Sequence, residues 1–330
     1  MIRLTQKRAS LEISPFGAMI TEAALVVGHD LINPFFQNPW RDDPREMDAL
    51  TRHLGGEWPC VPFGAASADK ELPAAWQVAD RSRNWNAHPH GFGAHHDWQL
   101  EQRDAQTALA RITYPETGPV AGLRRRVRLA SESAIECRLD ITARADARIG
   151  VGLHPVFSLH DAAPGAALIE CAGRQTAWTF PVDVEPGRSH LAADQQGVAL
   201  SDLRGADGAQ VDARHVPFKG QSEDLILLSD PRGRVSLLRP DLGHRIDVTW
   251  NAHDLPCCLL WLSNRGRDYS PWDGRVCAIG IEPIAAPFDL GEMFSASADT
   301  PLARAGLRTS IELTKDQVWS TEYAVSMRAL

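Results

Sequence analysis

Along most of the chain, apolar residues alternate with polar or small ones. From Ile135 the odd positions read Ile135, Cys137, Leu139, Ile141, and the even ones Glu136, Arg138, Asp140, Thr142. A period of two over eight residues predicts a strand with one wet face. Residues 111–114 and 124–129 read the same way, and the Arg124-Arg125-Arg126 run is expected as solvated strand or turn rather than an anion site. Residues 11–27 predict two short strands bent at Pro15-Phe16-Gly17. Residues 225–228, the turn Asp230-Pro231-Arg232-Gly233 and residues 235–238 predict a hairpin. Further strands are expected at 246–250, 257–262, 308–313 and 321–327. Residues 30–54, rich in Asn, Pro and Asp, predict a long surface excursion with one or two helical turns inside 45–53. Many strands at short spacing, few helical stretches and no βαβ alternation point to an all-β sandwich. With no composition break and no fixed-period repeat, residues 1–330 are expected to form a single domain.

Two apolar runs end alike. One carries Ile149, Val151 and Leu153 and closes on Gly152-Leu153-His154-Pro155; the other carries Cys277, Ile279 and Ile281 and closes on Gly280-Ile281-Glu282-Pro283. Alternation sends the large apolar side chains to one face and His154 and Glu282 to the other. Gly152 and Gly280 are the same-face neighbours, so a bare surface is expected beside each polar group, open to a flat ligand. Each proline is expected to end its ladder, having no N–H to give. Two distant strands that each present one titratable group beside a gap suit an acid–base pair.

Composition narrows the function. The 330 residues are 44% hydrophobic and 23% charged, ordinary for a globular protein with a sizeable core. The net charge of −8 argues against a nucleic-acid or anionic-membrane surface, though not against a small local anion site. No run of about 20 apolar residues appears, and residues 1–17 lack the continuous apolar segment of a secretory signal. A cytoplasmic location is therefore the expectation. The six cysteines form no CxxC pair and no regular spacing, so free thiols are expected rather than disulfides or structural zinc. His88, His90, His95 and His96 crowd one glycine-flanked loop, but their spacing is not that of a helical zinc pair, and no metal is expected there.

Four islands, in order, carry a resemblance. Gly55-Gly56 is followed by Pro59, Pro62, Phe63 and Gly64. His90-Gly91-Phe92 is followed by Trp98. Then come His154-Pro155-Val156-Phe157-Ser158-Leu159 and Gly280-Ile281-Glu282-Pro283. With these islands the sequence resembles the aldose 1-epimerase (galactose mutarotase-like) family from about Phe16 to the C-terminus. The resemblance implies a large, super-twisted antiparallel β-sandwich with few short helices and a sugar site on the concave sheet. It also implies that Glu282 is the general base, that His154 is the general acid, and that His90 holds the sugar and polarises its ring oxygen. Arg52 and Arg83 compete for the family's substrate-gripping arginine. Its substrate-binding aspartate maps to Asp224, and Trp85 or Phe157 would stack on the sugar. Residues 33–48 and the His95-His96 pair depart from the family pattern and leave the sugar open.

The chemistry is self-contained. Interchange of α and β anomers takes a proton from the anomeric hydroxyl and gives one to the ring oxygen. The opened chain then rotates about C1–C2 and recloses. A carboxylate and an imidazole, with reference pKa values of about 4.3 and 6.5, supply the acceptor and the donor. No electron moves, so no cofactor is expected, and a small-molecule sugar is the expected partner. Three readings stay open: a mutarotase for free aldoses, a hexose-6-phosphate mutarotase with a basic pocket from Arg52, Arg81 and Arg83, or a non-catalytic carbohydrate binder of the same fold. Monomer and homodimer are both compatible with the sequence.

Overall fold

A computed structural model of the chain describes residues 1–64, 71–78, 88–174 and 176–330. Among the described residues, two large antiparallel sheets dominate. The nine-stranded sheet runs, edge to edge, His215–Val216, Ala167–Cys171, Arg234–Arg239, His244–Trp250, Val318–Ala329, Ala134–Ala143, Val120–Ser131, Thr107–Thr113 and Gln99–Gln102. The predicted alternation is realised there: Ile135, Cys137, Leu139 and Ile141 are buried, while Glu136 and Thr142 are exposed. The eight-stranded sheet runs Val198–Ala199, Thr176–Thr179, Ser222–Leu228, Cys257–Asn264, Cys277–Ala285, Val151–Leu153 and Pro59–Cys60. Val156–Ser158 also pairs with Cys277–Ala285. A four-stranded sheet formed by Ile2–Gln6, Ala9–Ile13, Ile20–Val27 and Asp30–Ile32 adds to the first core.

The eight-stranded sheet is apolar on both faces, as its unbroken runs of apolar residues require. Ile226, Leu228, Leu260, Leu262, Ile279 and Ile281 share one core with Val235, Val248, Val325 and Met327 of the nine-stranded sheet. On the opposite face Leu225, Leu227, Leu259, Trp261 and Ile284 pack with Trp58, Phe63, Trp76 and Phe288 from the connections. Both cores are covered, so the fold is the all-β sandwich expected; among the described residues the α-helices are short, at Ala49–His53, Glu292–Ser295 and Pro301–Arg304. None of the described helices is long and apolar enough to cross a membrane.

Three expectations need correction. Residues 225–228 and 235–238 are not a hairpin: Ser222–Leu228 belongs to the eight-stranded sheet and Arg234–Arg239 to the nine-stranded one. The turn carries the chain across the sandwich. Leu225-Ile226-Leu227-Leu228 has no wet face, so it sits in a covered sheet, whereas the turn residues serve an arch as well as a hairpin. Residues 30–54 are a surface excursion only in part: 41–48 lie at the surface and Ala49–His53 is the expected helical turn, but 34–40 are largely buried. Phe35, Phe36, Asn38 and Trp40 are buried, Asn38 Nδ2 donates to the Arg52 and Leu54 carbonyls, and Trp40 Nε1 donates to Thr51 O at 2.8 Å.

The third correction concerns Arg125, which is 0% exposed, unlike Arg124 and Arg126 beside it. It pairs with the equally buried Glu57, donates to Tyr323 Oη at 2.7 Å and reaches Ala18 O at 2.5 Å; Tyr323 in turn donates to Glu57. Alternation puts every second arginine of the run inward, and the inward one persists because each charge has a partner. The cluster pins the irregular segment 55–64 to the nine-stranded sheet. Removing one partner strands the other charge, which costs about 3–5 kcal/mol. Arg125→Met is therefore expected to lose stability in that range by urea denaturation, and Glu57→Gln combined with Arg125→Met to lose less than the sum of the singles. Additive losses would show that the two groups do not act as a pair.

Candidate active site

Three strands bring the two focal stretches together. Cys277–Ala285 pairs with Val151–Leu153 at Val151↔Ala285 and Gly152↔Ile284, and with Val156–Ser158 at Val156↔Gly280, Phe157↔Ile279 and Ser158↔Ala278. His154 and Pro155 occupy the break between those two short strands. Pro283 does not end its strand, contrary to expectation: Cys258↔Pro283 lies inside the ladder with Cys257–Asn264. Ile281 N donates across the break to Pro155 O at 3.0 Å. An N–H two residues on would point the same way, into the break, and proline has none to leave unpaired. Both prolines therefore mark an interruption that lets His154 step out of the sheet.

His154 is tightly placed. Its N–H donates to Trp58 O at 2.9 Å, and its ring stacks on the Trp58 indole at 4.1 Å with a 14° tilt. The His90 ring stands edge-on at 5.1 Å. His154 Nε2 lies 3.5 Å from Glu282 Oε1, with the residues only 6% and 1% exposed. Among the described residues, Glu282 Oε1, His154 Nδ1 and His90 Nδ1 have no hydrogen-bond partner, although all three atoms are buried. The two glycines do not leave open floor as expected. A Cβ at Gly280 would collide with the Glu282 carboxylate, and one at Gly152 with the Phe63 ring. Their missing side chains make room for the protein's own groups.

Over the pair lies a cavity of about 390 Å³, within the usual range of roughly 300–1,000 Å³ for small-molecule sites. Trp58, His154, Leu225, Leu259, Trp261 and Glu282 form its floor; Asp48, Thr51, His90, His95, Arg267, Trp272 and Asp289 stand around it. Burial pushes the Glu282 carboxyl well above the usual carboxylate range, and Asp289 adds to the effect. Burial, then His90, holds His154 well below the usual imidazole range. His90 is pushed down to about 4 by burial, with His95 contributing. Both members of the pair thus favour their neutral forms, and one proton is held between them. That differs from the ionised carboxylate which reference values suggest.

The other expected site residues are distributed unevenly. His90 lines the cavity. Arg52 does not: Nη1 and Nη2 are turned to the carbonyls of Asp43 and Arg45, at 2.8 and 2.6 Å. Asp224 does not either. Its Oδ1 accepts from the backbone N–H groups of His190 and Leu191, at 3.0 and 2.9 Å, and burial pushes its carboxyl up to about 6. The period of two explains this, since Leu225 faces the cavity and Asp224 must face away. Glu223 has the cavity-side parity, and it accepts from Ser263 Oγ at 2.7 Å and Trp261 Nε1 at 3.3 Å. Phe157 packs in the inter-sheet core against Phe35. Arg81, Arg83 and Trp85 lie outside the described residues. Sequence reasoning missed Arg267 and Trp272, which come from a polar loop without a motif, and Trp261, which reads as core. Trp58 stood in plain view within the 55–64 island.

The architecture defines a class: a galactose mutarotase-like β-sandwich, here with a cavity on one sheet. Solved structures of that kind match over nearly the whole length. An Escherichia coli K12 protein provisionally named an aldose 1-epimerase has a TM-score of 0.67 at 16% identity, over 99% of this chain and 98% of that one. A galactose mutarotase related enzyme from Lactobacillus acidophilus gives 0.61 at 12%, over 99% and 96%. A galactose mutarotase-like protein from Lactobacillus casei gives 0.62 at 13%, over 99% of both. No protein-family model and no curated protein matches the sequence. At these identities the likeness establishes the fold.

The raised Glu282 pKa has a stability consequence with a definite sign. The folded state holds this proton more tightly than the unfolded chain does. The contribution is thus fully present below the ordinary carboxylate pKa of about 4.3, and is lost as pH rises toward the folded value. Glutamine has no such loss. Relative to wild type, Glu282→Gln is expected to gain melting temperature from pH 5 to pH 8. Calorimetry at the two pH values checks this, and a constant difference would contradict the shift.

Proposed function

We propose that the protein is an aldose 1-epimerase that interconverts the α and β anomers of a sugar bound over His154 and Glu282. The observation that carries this reading is the buried pair, an imidazole and a carboxyl 3.5 Å apart on the floor of the cavity. Mutarotation removes one proton, from the anomeric hydroxyl, and adds one, to the ring oxygen. The C1–O5 bond breaks as the C1=O1 double bond forms; rotation about C1–C2 and reclosure give the other anomer. A pair holding one proton contains one donor and one acceptor throughout, and it returns to its starting state after each turnover.

Burial favours the proton on Glu282 and a neutral His154. The family resemblance assigns the opposite distribution, with Glu282 as base and His154 as acid. The two differ only by transfer of one proton across the 3.5 Å contact. Sugar hydroxyls that hydrogen-bond the unpartnered Glu282 Oε1 would favour the ionised carboxylate and so the second distribution. His90, held neutral, then supplies a hydrogen bond at the ring oxygen without competing for the proton. The phosphate reading draws less support, because Arg52 is spent on backbone carbonyls.

Anomer exchange followed by polarimetry or NMR on a panel of aldoses and their 6-phosphates tests the proposal. Glu282→Gln and His154→Asn are each expected to lower kcat by about 10²–10⁴-fold. If wild type matches the buffer rate for every sugar, the enzymatic reading is wrong and a binder replaces it. The pH profile is a separate check. The acid limb belongs to His154, shifted well below about 6.5, and the alkaline limb to Glu282, shifted well above about 4.3. kcat/KM is therefore expected to stay level as pH rises through about 6.5. A fall as pH rises through 6.5 would mean that His154 titrates as an ordinary imidazole acid.

A further inference from the structure

One cation on the cavity wall is held ready and incompletely used. Arg267 lies in the loop between Cys257–Asn264 and Cys277–Ala285, the strand that carries Glu282. Its guanidinium carbon sits 4.4 Å from the centroid of the Trp272 ring and 5.7 Å from that of Trp261. Nε donates to Glu185 Oε1 at 2.8 Å, and the same oxygen accepts from Tyr269 Oη at 2.9 Å. Trp272 is braced in turn against Trp40 at 4.9 Å. Stacking and the Nε bond fix the plane of the guanidinium. Among the described residues, Nη1 and Nη2 have no hydrogen-bond partner, although Arg267 lines the cavity. Two parallel donors in a rigid fork call for two neighbouring oxygen acceptors.

Charge decides which acceptors. A carboxylate or phosphate is the usual partner of such a fork. Here Glu185 already balances the guanidinium, Glu223 Oε2 lies 3.9 Å from Nε, and Asp48 and Asp289 line the same cavity. A further anion would meet these carboxylates at close range, whereas two hydroxyl oxygens accept from the fork without adding charge. Trp261, which lines the cavity beside it, suits the C–H face of a pyranose. We infer that Arg267 is the specificity-determining residue of the cavity: its Nη1 and Nη2 grip a vicinal pair of neutral hydroxyls, and Glu185 turns it against sugar acids and sugar phosphates. This rests on the reading of the cavity as a sugar site, but not on catalysis.

The test is equilibrium binding in the Glu282→Gln background, read by tryptophan fluorescence, with glucose, galactose, glucuronate and glucose 6-phosphate as probes. Removing hydrogen bonds from a charged donor corresponds to about a 10–100-fold loss. Arg267→Met is expected to weaken binding of the preferred neutral sugar by that factor, and Arg267→Lys, which keeps the charge but not the fork, to recover only part of it. Glu185→Gln is expected to shift the preference toward glucuronate. In the protein with Glu282 intact, the loss from Arg267→Met falls on KM rather than kcat. Equal binding by wild type and Arg267→Met, tighter wild-type binding of either anionic sugar than of its neutral parent, or no binding of any neutral sugar overturns the inference. Should Arg267→Met fail to fold, Arg267→Lys and Glu185→Gln carry the same test. Sugar binding through Arg267 without faster anomer exchange would refute the epimerase reading and leave this one standing; exchange with an unaltered KM in Arg267→Met would do the reverse.

Discussion

A carboxyl and an imidazole shut away from water, 3.5 Å apart, set the terms for the structure around them. Each group alone would cost several kcal/mol to bury in its charged form. Together they settle on one proton and no net charge. That arrangement lasts only if neither group can turn out to solvent, so the surroundings must over-determine both positions. They do so from three sides. Strand pairing holds Glu282, the Trp58 carbonyl and indole hold His154, and the edge of His90 closes the third side.

The sandwich can be read as the means of holding Trp58. Its segment, 55–64, is too rich in glycine and proline to be rigid alone, and only Pro59–Cys60 joins the sheet. Two polar anchors therefore reach it from strands of the nine-stranded sheet. Arg125 and Tyr323 grip Glu57, one residue before Trp58. Tyr114, at the end of Thr107–Thr113, donates to Val61 O at 2.7 Å and accepts from Gly93 N at 3.0 Å, which ties the same segment to the loop carrying His90. Gly91 is indispensable to that approach. Its φ is +88°, and a Cβ there would run into the Val61 carbonyl. Buried polar groups are poor stabilisers compared with packed apolar ones, but they fix one arrangement among many. Fixing an arrangement is what the acid–base pair needs.

How much of this could be read from residues alone follows from the range of each signal. Period-two alternation is local, so strands such as Ala134–Ala143 were legible almost to the residue. The pairing of His154 with Glu282 is not local, yet it was legible, because two apolar runs ended in the same glycine-x-acid/base-proline form. What failed was whatever depended on the neighbour across the sheet. The alternation puts Arg125 opposite Arg124 and Arg126 but cannot say that Glu57 waits on that side. It separates Glu223 from Asp224 but not which of them faces the cavity until Leu225 is placed. The turn at 230–233 looks alike in a hairpin and in an arch between sheets. Gly152 and Gly280 announced space without saying that Phe63 and the Glu282 carboxylate fill it. Arg267 left no trace, since a loop arginine acquires meaning only from the tryptophan beneath it.

These differences separate two kinds of residue in the cavity. The floor is made of strand residues whose backbone groups are committed to ladders and whose neighbours are core. Moving any of them means breaking the sheet. The wall comes from connections that are fastened chiefly to one another: Arg45 to Asp273 and Ser270, Arg267 to Glu185, Arg188 to Asp268. Exposed ion pairs such as Arg45–Asp273 and Arg188–Asp268 hold a loop in place only weakly. The proton pair thus sits on the least changeable part of the molecule, while much of the cavity wall sits on its more changeable loops. Substitutions in the loops at 43–53, 182–188 and 264–275 can therefore reshape the cavity wall and leave His154 and Glu282 in place.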